Sequence, residues 1–370
     1  MAERTDVTIV GGGVIGLTTA LELADAGRTV CVIERGDFGQ EASWAGAGML
    51  RPANLEQAKT VEQRLRGYSF QMWPGHTARL KERTGIDPCF ERCGSLVFGE
   101  FEHEAEELAA EGIEATVIDS ERIRELVPGA DGSISRALEV PAHAQLRNPR
   151  LLQSLLAACE GAGVMLKPRT IVTGGKREGD RIVELTTEAG SIASATYVIA
   201  AGAWSASLPD PLRVPLPIKP MRGQIALLKT EERSFRPCLH EGDAYLVPRA
   251  DGRVLIGSTV EDAGFHKINT AKSVAWLLDS AKSLIPSLAN AEVERTWAGL
   301  RPGSPDGLPF LGKAPEHNNL VLACGHFRWG LEWSPVTAKI IIAIIEGGEP
   351  PIDMTGLEVD RPLPREWVRK

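Results

Sequence analysis

Two short stretches hold residue types that do chemistry. Near the amino end, Gly11, Gly13 and Gly16 punctuate IVGGGVIG, and Glu34 follows eighteen residues after Gly16. Near the carboxyl end, GHFRWGLEWSP (Gly325–Pro335) sets a histidine, an arginine, two tryptophans and a glutamate directly before an apolar run. A helix that only fills a core seldom begins in this way.

The first stretch suits a phosphate and a sugar. Gly11 permits the tight turn from strand to helix, Gly13 lets backbone approach a pyrophosphate, and Gly16 lets the helix pack on the strand. The pyrophosphate then rests on the helix N-terminus at Val14 and Ile15, where free N–H groups and the dipole favour anions. A carboxylate at Glu34, with Arg35 beside it, accepts both ribose hydroxyls of an adenosine and repels a 2′-phosphate. The next glycine- and alanine-rich block, EASWAGAGML (Glu41–Leu50), offers Ala42, Ser43, Ala47, Gly48 and Met49. Such small residues let backbone press against a flat ring system and a long diphosphate, which favours FAD over a detachable nicotinamide. Only one GxGxxG is present, so a two-nucleotide reductase is not indicated.

These motifs need elements to hold them. Asp6–Val10 reads as a strand, Val14–Ala26 as a helix and Thr29–Ile33 as a second strand, which together make a βαβ unit. A long helix is expected over Leu55–Thr84. Asn148 reads as an N-cap with Pro149 at the first helical position, opening a helix to about Gly161. Strands flank the turn Glu178–Gly179–Asp180, and another, Tyr197–Ala201, ends at Gly202. Ile218–Leu228, Ala244–Val247 and Val254–Ile256 read as antiparallel strands of a second sheet, followed by a helix over Ala271–Leu284 that Pro286 stops. Glu292–Leu300 and Leu320–Cys324 are the last strands, and Val336–Ile345 is an apolar helix.

The chain has 370 residues, enough for two domains. With 43% hydrophobic and 24% charged residues it has an ordinary globular composition, and a net charge of −8 without a basic block argues against a nucleic-acid partner. The six cysteines form no CxxC pair and read as buried, reduced thiols. No metal-ligand spacing appears among the histidines. The amino end has no basic, cleavable leader, and the most apolar helix contains Lys339, so a cytoplasmic location without an integral membrane contact is expected.

Five stretches together carry a family resemblance: ERGDFGQEASWAGAGML, QLRNPRLL, AGAWS, WAGLRPGSPDGLPFLG and GHFRWGLEWSP. Over essentially the whole chain the sequence resembles the D-amino-acid oxidase superfamily, and within it the bacterial glycine oxidases, including those of the thiamine-thiazole pathway. The resemblance implies an α/β fold. A glutathione-reductase-type FAD-binding Rossmann domain (1–85, 143–215 and 296–366) would interleave with an antiparallel-sheet α+β substrate domain (86–142 and 216–295). It implies further FAD contacts from Val172, Gly202, His326, Phe327, Trp329, Gly330, Leu331 and Glu332. It also implies non-covalent FAD, because RPGSPDGLPFLG lacks the cysteine that tethers flavin in related sarcosine oxidases.

An amino-acid substrate brings a carboxylate into an apolar site, where an unpaired charge is prohibitive and a guanidinium fork is the expected answer. Arg301, expected just after its strand, is the first candidate by the family pattern. Arg328 and the Tyr245 hydroxyl are the others, and both arginines also border the flavin. His326 and His143 read as core histidines, because the implied reaction needs no protein acid or base: hydride passes from the substrate Cα to flavin N5. The imino acid is then hydrolysed to a 2-oxo acid and ammonia or an amine, and O2 reoxidises the flavin to give H2O2. The flavin's N1–C2=O edge needs donors, which a helix start near Gly330–Leu331 would supply. Relatives also imply a homo-oligomer, a dimer or tetramer.

Two departures qualify this reading. Trp329 stands where relatives usually carry asparagine, and Glu332 and Trp333 stand where apolar, non-aromatic residues are common. The expectation is that Trp329 stacks on Arg328 or narrows the pocket, and that Glu332 points outward or pairs with a cation. The alternatives are a dehydrogenase of the same fold that passes electrons to a quinone, and, in another class, a flavin-binding protein without turnover.

Overall fold

The computed structural model describes residues 3–367. Residues 1–2 of the first expected segment lie outside it. The strand Glu3–Val10, the helix Val14–Asp25 and the strand Val30–Ile33 form the expected βαβ unit. Val30–Ile33 is buried at every position, as a parallel strand covered on both faces must be.

The first sheet has eight strands. Its parallel core runs Met165–Lys167, Val30–Ile33, Glu3–Val10, Gly190–Ile199 and Leu320–Cys324. The hairpin Val172–Glu178/Arg181–Thr187 and the strand Phe310–Lys313 extend it antiparallel. The helices Val14–Asp25, Val61–Thr84, Asn148–Gly161 and Ser334–Glu346 pack together over this sheet. Their core includes Leu17, Leu21, Trp73, Leu155, Trp333 and Ile340.

The second sheet has nine strands and is almost wholly antiparallel. Its longest pair, at one edge, joins Lys219–Lys229 to Glu292–Gly303, and Ala244–Pro248 pairs with Arg253–Gly257 further in. The helix Ala271–Leu284 covers one face through Leu277, Ala281 and Leu284. Glu292–Gly303 stays paired over its whole length, across the 295/296 division drawn from the sequence, so Arg301 lies inside the strand and not after it.

Three local expectations are corrected. The long helix begins at Val61, not Leu55, because Thr60 and Gln63 form a reciprocal capping box, and Leu55–Gln57 is a separate single turn. Asn148 is the first helical residue rather than the cap, which is Arg147; its side chain instead donates to Ser43 O at 2.8 Å. The last helix begins at Ser334 with Pro335 in its first turn, so Gly330 and Leu331 belong to the turns before it. No described helix is long and apolar enough to cross a membrane.

Candidate functional site

A cavity of about 910 Å³ opens between the two sheets. Every candidate residue named from the sequence lines it except Gly16, which lies in the helix behind. The candidates for a nucleotide line its end on the parallel sheet, and the substrate candidates Arg301 and Tyr245 line its end on the antiparallel one.

At the nucleotide end the glycines divide their work. Gly11 has φ +118°, and a Cβ there would sit 2.3 Å from Ala200 O, so the turn can close only on glycine. A Cβ on Gly16 would lie 1.9 Å from Gly11 O, which fixes how closely helix meets strand. Gly13 has only Ser43 Oγ near, and that hydroxyl accepts from Val14 N at 2.9 Å. The first-turn amides of Ile15 and Gly16 donate to nothing among the described residues. Glu34 accepts from Gly12 N at 2.8 Å and Gly36 N at 2.9 Å, one amide on each oxygen, which leaves lone pairs on both. Gly48, at φ +76°, is pressed against Leu146 O and Asn148 Oδ1; that buried oxygen has no hydrogen-bond partner. Arg35 stacks on Trp204 at 3.5 Å and pairs with Glu41 at the rim.

FAD suits these residues on physical grounds. Idle amides at a helix N-terminus, a carboxylate with free lone pairs at a strand end and a glycine-floored channel are what a diphosphate, a ribose and a flat ring require. Gly330, Leu331 and Glu332 add three further amides with no acceptor among the described residues.

The substrate end is built by strand register. Arg301 lies over Gly223, where a Cβ would fall 2.3 Å from its guanidinium, and Tyr245 lies over Gly257, where a Cβ would meet its hydroxyl at 2.3 Å. Arg301 donates to Thr259 O at 3.0 Å and to Ser258 Oγ at 2.6 Å, both neutral acceptors. Its remaining surface faces the cavity, and burial, partly offset by Tyr245, lowers its pKa. Arg328 is half-buried, and its Nε has no hydrogen-bond partner. Burial first, and then the Arg301 charge, lower its pKa. Among the described residues neither arginine forms a salt bridge with a carboxylate, although the Asp243 charge partly offsets the lowering at Arg328, so two cationic forks face one cavity.

The turn before the last helix is held at both ends. Phe327 sits at φ +46°, its N–H donates to Pro302 O at 2.9 Å, and Trp329 N returns to His326 O at 2.9 Å. The His326 ring is buried against the Thr337 hydroxyl at 3.1 Å, and burial pushes its pKa down to about 3. Trp329 does not stack on Arg328; the guanidinium over its ring is Arg51, at 3.5 Å. Glu332 does not point outward. It is 3% exposed and takes the second expected course, accepting from Arg51 N at 3.2 Å and Arg51 Nη2 at 3.4 Å. Trp333 is fully buried in the helical core, 6.1 Å from Trp329 ring to ring.

Sequence reading missed Arg51, Asn148, Gly223, Gly257 and His240. Asn148 and Arg51 had detectable company, in QLRNPRLL and next to the small-residue block. The two glycine platforms show only once register is known. The five cysteines Cys31, Cys93, Cys159, Cys238 and Cys324 are buried and Cys89 is exposed, all free. Although the spacing suggested no metal set, the fold brings Cys93, His143 and Cys238 together.

Comparison with known proteins follows this geometry. A family model described as FAD dependent oxidoreductase matches residues 6–344. The glycine oxidase of Pseudomonas aeruginosa is 38% identical over 357 residues, covering 95% of this chain and 97% of that protein. The bifunctional protein ThiO/ThiG of Trichormus variabilis is 34% identical over 92% of this chain and 52% of its own length. The crystal structure of glycine oxidase from Geobacillus kaustophilus superposes with a TM-score of 0.90 at 31% identity, covering 98% of this chain and all of that one.

Proposed function

We propose a reaction from one premise: the chain belongs to the family of FAD-dependent oxidoreductases. It oxidises glycine, or a small related amino acid or N-alkylglycine, at its CH–NH bond. For glycine the balance is glycine + O2 + H2O → glyoxylate + NH3 + H2O2. When bound, the flavin supplies the redox chemistry, accepting hydride from the substrate Cα and returning the electrons to O2.

The observation that carries this reading is the pair of guanidinium groups, Arg301 and Arg328, open to the cavity with no carboxylate in salt-bridge contact among the described residues. Arg301, held by Ser258 and Thr259 over Gly223, is the fork for the substrate carboxylate, and the Tyr245 hydroxyl closes the same group from the strand Ala244–Pro248. Fixing that carboxylate sets where Cα stands, and orientation of this kind removes much of the entropic part of a barrier. The unbonded amides of Gly330, Leu331 and Glu332, which line the same cavity, would favour negative charge on a bound flavin ring. His326 and His240, at about 3 and about 4, stay neutral at working pH and shuttle no proton. The substrate amine must therefore arrive neutral and leave as an imine that solvent water hydrolyses.

FAD is held without a covalent bond in this reading. Cys324 is the one cysteine lining the cavity among the described residues, and its thiol donates to Ile199 O at 3.1 Å with its pKa pushed up to about 11, so it is no nucleophile. The likeness to ThiO/ThiG supports a place ahead of thiazole formation in thiamine synthesis. The test is an aerobic peroxide assay over glycine, sarcosine, N-ethylglycine and small D-amino acids, with acid release of the flavin alongside. Peroxide from glycine or a near relative, and free FAD in the supernatant, are expected. Flavin that bleaches but stays reduced in air replaces oxygen with another acceptor, and flavin that no amino acid bleaches removes catalysis altogether.

A further inference from the structure

Three side chains that amino-acid oxidation does not use meet beside the cavity. Cys93, His143 and Cys238 each place a ligand atom within 4.8 Å of the others. The two cysteines pack with Ala47 and Ile225, which line the cavity. The three ligands come from separate segments. Cys93 precedes Ser95–Phe98, His143 precedes Ala144–Gln145, and Cys238 opens Cys238–Glu241, which runs parallel to Ser95–Phe98. Backbone bonds hold the segments in place: Cys93 N and Gly94 N donate to His143 O at 3.1 and 2.9 Å, and Cys238 N donates to Gly94 O at 3.0 Å.

The spacing is that of a metal's ligands. The two sulfurs are 3.8 Å apart. Metal–sulfur bonds of about 2.3 Å place two sulfurs about 3.8 Å apart at a tetrahedral angle and about 4.0 Å at a trigonal one. His143 is 4% exposed, and neither of its ring nitrogens has a hydrogen-bond partner. A buried imidazole with neither nitrogen bonded carries an unrelieved desolvation cost, which coordination would remove.

A neighbouring charge selects the kind of ion. Arg249 is buried, and its guanidinium donates to Gln145 Oε1, Leu146 O and Ala47 O, all neutral. No carboxylate pairs with it among the described residues. We propose that Cys93, His143 and Cys238 bind a monovalent thiophilic cation, Cu⁺, through two thiolates and one imidazole. Two thiolates and Cu⁺ leave a net charge of −1, which Arg249 neutralises. A divalent ion would leave the same buried pocket at +1, and zinc would also call for a fourth ligand. Soft thiolates favour Cu⁺. The thiol protons leave to solvent on loading.

The test uses the FAD-loaded chain without oxygen, with Cu⁺ delivered from its bicinchoninate complex so that colour loss reports transfer. One Cu⁺ per chain is expected. Cys93→Ser and Cys238→Ser should abolish transfer, His143→Gln should cut affinity at least tenfold, and Cys89→Ser, at the exposed cysteine, should change nothing. Copper X-ray absorption of the unmutated chain should show two sulfurs at about 2.3 Å and one nitrogen, which keeps the test decisive if a serine variant does not fold. Absence of transfer, transfer that needs Cys89, a copper shell without two sulfurs, or uptake of Zn²⁺ in preference to Cu⁺ would overturn the assignment.

Discussion

At the nucleotide end, Gly11 to Glu34 span twenty-four residues of one βαβ unit; at the substrate end, Tyr245, Arg301 and Arg328 are scattered over eighty-four. The first site is a local object, since its spacing follows from strand, turn and helix. The second exists only after strands from distant segments find their register, because Arg301 reaches its place over Gly223 and Tyr245 its place over Gly257 through pairing. A local site can be damaged without moving the other, whereas an assembled one can be damaged from its neighbours.

The largest effects should separate the two ends. Arg301→Ala should weaken substrate use by about 2–4 kcal/mol, roughly 30- to 900-fold in kcat/KM, with flavin content unchanged; an unaltered KM would remove Arg301 from the carboxylate. Glu34→Ala is the reverse case. It should cost about 1.5–3 kcal/mol of FAD affinity and leave KM unchanged once FAD is in excess, so a variant that purifies with full flavin would take Glu34 out of the site. Gly223→Ala tests the assembled character. Its methyl would displace the Arg301 guanidinium and cost about 1–3 kcal/mol in kcat/KM without touching a ligand, and unchanged kinetics would show that register does not set the fork.

Acid should act on both ends alike. Burial holds His326 at about 3 and His240 at about 4, below the roughly 6.5 of a free imidazole. Below pH 6.5 the unfolded chain therefore binds protons that the folded chain refuses, and stability falls as pH drops towards those values. Each such histidine contributes at most about 1.4 kcal/mol per pH unit across that window. His326→Gln should flatten the decline seen in urea midpoints, and an identical slope would show that the ring titrates normally. Trp329→Asn is the smallest change. It removes the stack under Arg51, worth about 0.5–1 kcal/mol, and should reorder the substrate panel while flavin affinity holds. Identical specificity constants across that panel would confine Trp329 to packing.

The same contrast explains what the sequence disclosed. The βαβ unit was readable because each glycine does its work within a few residues, and Asn148–Gly161 because Pro149 marks a helix start. The Thr60/Gln63 capping box was also in plain view, although the helix expected from the sequence ran back to Leu55. Arg301 and Tyr245 became candidates through family likeness, since nothing local distinguishes a fork from a surface arginine. The Arg51–Glu332 pair joins residues 281 positions apart, and the meeting of Cys93, His143 and Cys238 spans three segments, so neither leaves a spacing to detect.

The bond from Phe327 N to Pro302 O has a mechanical consequence. It bolts the turn that carries Arg328 and the idle amides to the strand that carries Arg301. Arg301 and the amides of Gly330, Leu331 and Glu332 therefore move as the two jaws of one caliper, and the gap between them is set by backbone. Substitution can hardly lengthen that gap for a longer acid. It can change what the jaws meet at the sides, where Arg51 reaches in from another segment to stack on Trp329 of the turn itself, and new substrates would be gained or lost there.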